Sequence, residues 1–350
     1  MTGFGKISNR EFIEFNKTFS LMLLSKLSLV QALEIIVLQT KNDKLKDIIK
    51  KSLRDVKSGQ SLSKSFSKYP ELFSEIYLAN LRVGEETGQI DVVISEYSEY
   101  LENISNLKRK VVQALRYPIL VLLVSMGVIS FMVFFLIPTF QTLFTSSKFT
   151  LPAITEMIMV FSFFAKDNSV IILLIICSVI LLIINYKKIH LLNSIVEKLL
   201  VKSPLISKVY IKNIVARFSL SLAYLLRSKV SLLEALKISK NITPNKLFRS
   251  EIDLIIKKLS KGESFSAVVK RSDFFDITFS QLLIAGEESA QLDKVFFLIS
   301  NYYQKDFDFY LDNLTALLEP MLILFIGIIV AVVLVAMYLP IFEIVNNFGV

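Results

Sequence analysis

Tryptophan is absent, and histidine and cysteine occur once each, as His190 and Cys177. A single cysteine allows no disulfide framework. One histidine beside one cysteine gives no Ser-His-Asp or Cys-His arrangement with a spare, and no soft-metal site of ordinary type. Glycine is scarce at ten residues. Those ten form neither a G-x-x-x-x-G-K-[ST] nor a G-x-G-x-x-G loop, so nucleotide hydrolysis within this chain is not expected. Segments 118–138, 169–185 and 320–340 hold no Asp, Glu, Lys, Arg or His, which removes the usual groups for proton relays and ion coupling. Alternating strand patterns bounded by Asn-Gly or Asp-Gly turns are missing as well. Accordingly no catalytic residue, cofactor or metal is expected, and the chain does not read as an enzyme.

What is present is apolar. The 350 residues are 53% hydrophobic and 20% charged, with mean hydropathy +0.57, too apolar for an ordinary soluble protein. Segments 118–138 and 320–340 each run 21 residues without a charge, about 30 Å of helix and roughly one hydrocarbon core. The middle run, 169–185, has 17 residues and could be lengthened upstream through Ile154–Phe164. All three are expected to be transmembrane helices, since an open strand edge in lipid leaves backbone groups unpaired.

Charge sets the orientation. Residues 1–117 hold 18 Lys and Arg and residues 186–319 hold 20, whereas 139–168 has only Lys148 and Lys166 and 341–350 has none. The positive-inside rule therefore places both basic regions in the cytoplasm, with 139–168 and 341–350 outside. The net charge of +9 is spread among acidic residues, and its densest run, Lys108-Arg109-Lys110 with Arg116, stands just before the first span. That suits lipid headgroups rather than nucleic acid. The N-terminus lacks an apolar core, so no cleavable signal peptide is read there.

The chain also repeats itself. Gly84-Glu85-Glu86-Thr87-Gly88-Gln89-Ile90-Asp91 returns 202 residues later as Gly286-Glu287-Glu288-Ser289-Ala290-Gln291-Leu292-Asp293. Ser28–Glu34 matches Ser231–Lys237, Gly59 matches Gly262, Pro118 matches Pro320 and Pro138 matches Pro340. The two units, 1–117 and 186–319, read as helical bundles, each followed by one outward span; 169–185 returns the chain so that both copies share one orientation. Helical spacing appears in Glu11–Leu24 and Val215–Leu226. Ser28 with Gln31 and Ser231 with Glu234 read as capping boxes, Ser74 and Asp276 as N-caps, and Gly59 and Gly262 as left-handed helix ends. The fold expected is an all-α membrane protein with two homologous cytoplasmic bundles and three transmembrane helices.

The repeated corner has two readings. Glu85, Glu86, Asp91, Glu287, Glu288 and Asp293 offer carboxylates to a basic partner or a hard cation. Equally, Gly84 and Gly286 permit close helix approach, Gly88 turns the chain, and Asp91 favours the next helix N-terminus. Small residues in the spans (Gly127, Ser130, Gly327, Ala331, Ala336) are candidates for helix packing. The aromatic cluster from Phe296 to Tyr310 reads as core plus interfacial belt.

Together the acidic corner, the proline-headed spans, Ile137-Pro138-Thr139-Phe140 leading to Phe144, Leu151-Pro152 with Thr155, and Leu339-Pro340-Ile341-Phe342 resemble the type II secretion system F protein family. That family includes platform proteins of type IV pili and of competence pili. The resemblance covers nearly the whole chain, and the length is similar to its compact members. Ala290 departs from the family's usual glycine. The resemblance implies a non-enzymatic inner-membrane platform, multi-pass, with N-terminus cytoplasmic and C-terminus external. Its implied partners are a cytoplasmic assembly ATPase, pilin or pseudopilin, other inner-membrane assembly proteins, lipid and a second copy of itself in a homo-oligomer. The alternative weighed against it is a multi-pass transporter or permease subunit.

Overall fold

The computed structural model describes residues 7–140, 152–185, 203, 206–243 and 245–348. Lys148, Phe144, Leu151, His190 and the whole of 186–202 lie outside these. Among the described residues there is helix and no strand.

The first copy comprises α1 (Asn9–Leu24), α2 (Leu29–Gln39), α3 (Asp43–Lys57), α4 (Leu62–Phe66), α5 (Glu75–Thr87) and α6 (Ile90–Phe131). Two helices follow, α7 (Ala153–Asp167) and α8 (Ser169–Asn185). The second copy comprises α9 (Ile206–Arg227), α10 (Leu232–Ser239), α11 (Lys246–Leu259), α12 (Phe265–Val269), α13 (Ile277–Glu288) and α14 (Leu292–Phe348).

Local chemistry accounts for most of the helix ends. Ser28 and Gln31 form a reciprocal box at the start of α2, and Ser8 with Glu11 does the same for α1. Ser74 and Asp276 accept amides at the starts of α5 and α13. Gly59 and Gly262 stand at φ +88° and +90° just past α3 and α11. The second expected box does not form. Ser231 has cap-like backbone angles, but its side chain accepts no hydrogen bond.

By packing, the chain divides into two compact units, Met1–Arg109 with Ser203–Asp308, and Lys110–Lys202 with Phe309–Val350. The first unit joins both copies of the bundle. Its core is aromatic: Phe66 stacks on Phe73 at 3.8 Å in copy 1, and Phe275 lies 4.3 Å from Phe279 in copy 2. Helix α9 is long and apolar enough to cross a membrane. It does not belong among the spans, because Val215, Phe218, Leu222 and Leu225 are all buried in the bundle core.

In the second unit neither helix breaks where the sequence reading ends a domain. Pro118 lies inside α6, and Pro320 and Pro340 lie inside α14, which continues to Phe348. The middle run does not extend straight upstream: α7 and α8 meet at Asn168 with a bend of 76°. Beyond Phe131, α6 passes through one wide turn, Met132–Leu136, and resumes as α-helix to Phe140.

Two prolines explain how α7 is seated. In the wide turn each amide bonds five residues back, as Ile137 does to Met132. Pro138 has no amide to give to Val133, and the Ser162 hydroxyl of α7 takes that carbonyl at 2.5 Å. Pro340 likewise cannot serve Ala336 four residues back, and the Thr155 hydroxyl of α7 donates there at 2.6 Å. Val133, Ile137, Met159, Ala165, Val333 and Met337 close the contact. Of the small span residues, Ala336 is buried here, while Gly127 and Gly327 face open space.

Candidate functional site

The repeated acidic corner is the α5–α6 junction in copy 1 and the α13–α14 junction in copy 2. Its glycines act through space. A methyl group on Gly84 would stand 3.1 Å from the Val93 side chain, and one on Gly286 would stand 3.0 Å from that of Val295. Gly88 then turns the chain at φ +72°, and its counterpart Ala290 holds the same left-handed region at φ +54°. Alanine there bears a steric cost that glycine does not.

The first glutamate of each corner is engaged within the fold. Glu85 accepts the amides of Leu62 at 2.5 Å and Ser63 at 3.2 Å, and also the Ser63 hydroxyl. Glu287 does the same for Phe265 at 2.7 Å, Ser266 at 3.2 Å and the Ser266 hydroxyl. Each carboxylate thus satisfies the otherwise unpaired first amides of α4 or α12 and places negative charge at a helix start. Sequence reasoning missed the two serines. Their signal was the repeated Ser-x-Ser, Ser61-Leu62-Ser63 and Ser264-Phe265-Ser266, whose last serines lie 22 and 21 residues upstream of the glutamates.

Asp91 is also engaged. It pairs with Lys26 at 3.0 Å and accepts the Val92 amide, which together hold its carboxyl below the ordinary range despite slight burial. Glu86 and Glu288 differ from it, since both are exposed at the corner's outer edge.

The two corners present different surroundings. In copy 1, Ser61, Lys64, Ser67, Arg82 and Glu86 line an open groove of about 630 Å³. In copy 2 the positions equivalent to Lys64 and Arg82 are Ala267 and Ile284. Asp293 instead lines a second groove of about 430 Å³ with Arg227, Lys294 and Leu298. The span-boundary prolines stand apart from both corners in sequence. Pro118 and Pro320 follow Tyr117 and Glu319, which hydrogen-bond at 2.9 Å, and Pro138 and Pro340 seat α7 as described.

Among the described residues the two corners bring together no three metal-ligating side chains. The family model for type II secretion system protein F matches residues 15–138 and again 218–340, the two copies found in the repeat. The type IV pilus assembly protein PilC of Thermus thermophilus is 29% identical over 96% of this chain and 83% of its own length. PilC of Pseudomonas aeruginosa is 28% identical over 98% of this chain and 92% of its own length. The type II secretion system protein F of Pseudomonas aeruginosa is 25% identical over 96% and 83%.

Proposed function

The chain belongs to the type II secretion system protein F family, and from that premise we propose that it is the inner-membrane platform of a pilus, competence or secretion filament machine. In this reading a cytoplasmic assembly ATPase engages the helical bundle. The platform passes that work on to pilin or pseudopilin subunits as they leave the membrane for the filament. Both bundles face the cytoplasm, and residues 341–350 lie outside.

The observation that carries the reading is the pairing of two homologous bundles in one compact unit, each copy ending in a helix that becomes an uncharged span. Such a chain has receiving surfaces but no nucleotide loop of its own, so its motor must be another protein. Glu85, Glu287 and Asp91 are committed to internal contacts. Glu86 and Glu288 at the outer edge, with Asp293 on its groove, are therefore the carboxylates offered to a basic partner surface.

The test is genetic and biochemical. Deleting the gene should abolish filament assembly or secretion, and the solubilised chain should retain a filament-assembly ATPase in pull-down. Wild-type filaments and secretion in the deletion strain would overturn the proposal, as would ATP turnover by the purified chain alone.

A further inference from the structure

The two copies in the bundle unit do not meet through equivalent faces. Copy 2 brings α9 and the short turn Lys240–Ile242 that follows α10; copy 1 brings α5 and α6. Arg227 lies 2.7 Å from Glu96, the Tyr224 ring meets Tyr100 edge-on at 5.5 Å, and Asn241 donates to Glu75 at 3.0 Å. Tyr224, Tyr100 and Glu96 are all buried by this contact.

The repeat converts each of these positions into its counterpart. The shift is 203 residues from Ser28 to Ser231 and 202 residues from Glu85 to Glu287. On the copy 1 side, Arg227, Tyr224 and Asn241 become Leu24, Leu21 and Leu38. On the copy 2 side, Glu96, Tyr100 and Glu75 become Leu298, Tyr302 and Ile277. Were the copies related by a closed two-fold, these six would pack against one another within the chain. They are exposed instead, Leu38 at 80% and Ile277 at 77%. The contact between copies is therefore one-way, and each chain leaves one half of it open at either side.

The substitutions run in pairs. The ion pair between exposed Arg227 and buried Glu96 is matched by two leucines, Leu24 and Leu298. The amide–carboxylate pair Asn241–Glu75 is matched by Leu38 and Ile277. Both sides of each pair have changed from polar to apolar together, as complementary faces do and as independent solvent-facing positions have no reason to do. Exposed apolar clusters of this kind mark protein contacts.

We propose that the α1–α2 face of one chain docks on the α13–α14 face of a second copy of this chain. The docking repeats the in-chain contact head to tail, with Leu24 against Leu298, Leu21 against Tyr302 and Leu38 against Ile277. Every chain carries both halves, so the contact propagates: it closes into a ring where the rotation allows and otherwise continues as an open array. It requires nothing of the motor or filament, and its failure would leave the platform reading intact.

The experiment uses full-length chain in native membranes with Cys177→Ser. Two differently tagged populations carry Leu24→Cys or Leu298→Cys. On oxidation, dimers bearing both tags are expected in mixed membranes, and none from either population alone. A Leu24→Cys chain that links to itself, a link only to another protein, or no link at all would overturn the proposal.

A second arm follows linkage between chains carrying Leu38→Cys and chains carrying Ile277→Cys. Adding Leu24→Arg or Leu298→Glu alone should reduce linkage about tenfold. Adding Leu24→Arg to the first chain and Leu298→Glu to the second rebuilds the pair that Arg227 makes with Glu96, and should restore linkage. Undiminished linkage in the single variants, or none regained in the combined pair, would count against the proposal. Both positions are solvent-facing in the isolated chain, so these variants are expected to fold.

Discussion

Tyr117 donates its phenolic proton to Glu319, and the two residues hold the same place in the two copies, each one position ahead of a proline. The starts of the first and third spans therefore lie side by side. With Cys177→Ser, Tyr117→Cys and Glu319→Cys should be joined within one chain by a short bismaleimide in membranes. A faster-migrating monomer band is the readout; linkage solely between chains would contradict the arrangement.

The corner glutamates should separate by role. Glu85→Ala removes the acceptor for two amides and a hydroxyl at α4 and should destabilise the bundle by about 2 kcal/mol, with Glu287→Ala similar. Glu86→Lys and Glu288→Lys should leave the unfolding midpoint nearly unchanged while impairing filament assembly. Thermal unfolding and complementation, run on the same variants, distinguish the two.

Cap strength should differ between the copies. Ser28 accepts the Gln31 amide whereas the Ser231 side chain accepts nothing. Ser28→Ala should cost about 1 kcal/mol, and Ser231→Ala only a small fraction of that. Equal losses in denaturant unfolding would show that the second box forms in solution.

Glu96 gives the bundle a pH signature. Burial pushes its carboxyl above the ordinary glutamate range, and Arg227 only partly offsets this. A raised pKa means that the folded form holds the proton more tightly than the unfolded chain. The contribution is thus complete below the ordinary glutamate pKa of the unfolded chain and is lost as pH rises through the elevated value. The midpoint of wild type relative to Glu96→Gln should fall across that window and then level off. A difference that instead grows with pH would mean that the Arg227 pairing dominates.

The hydroxyls of α7 should each matter modestly. Thr155→Val and Ser162→Ala remove donors to Ala336 and Val133, and about 0.5–1.5 kcal/mol is expected for each. Unfolding in mild detergent measures it. Loss in either variant should exceed that for Ser125→Ala, whose hydroxyl bonds within its own helix.

Features that depend on neighbours in sequence were readable beforehand. The Ser28–Gln31 box, the Ser74 and Asp276 caps, Gly59, Gly262 and the uncharged spans all arise from interactions within a turn or two, or from composition over one helix. Contacts between distant segments were not. Nothing local assigns Glu85 to Ser63, Arg227 to Glu96, or Ser162 to a carbonyl on another helix. The bend at Asn168 had a local signal, the polar stretch Lys166-Asp167-Asn168-Ser169 that interrupts the apolar sequence, but nothing local sets its angle. Ser231 shows the opposite error, a sequence motif whose backbone is in place and whose side-chain bond is not made.

The prolines near the ends of the first and third spans have a consequence for biogenesis. Each leaves one oxygen that its own helix cannot serve, and both missing donors come from the segment between the spans. The first helix can be completed as soon as that segment emerges from the translocon, because Ser162 follows it directly. The third must find a Thr155 synthesised some 180 residues earlier. Maturation of the membrane half should therefore finish with the last span, and truncation before it would leave Thr155 without the acceptor it was made to meet.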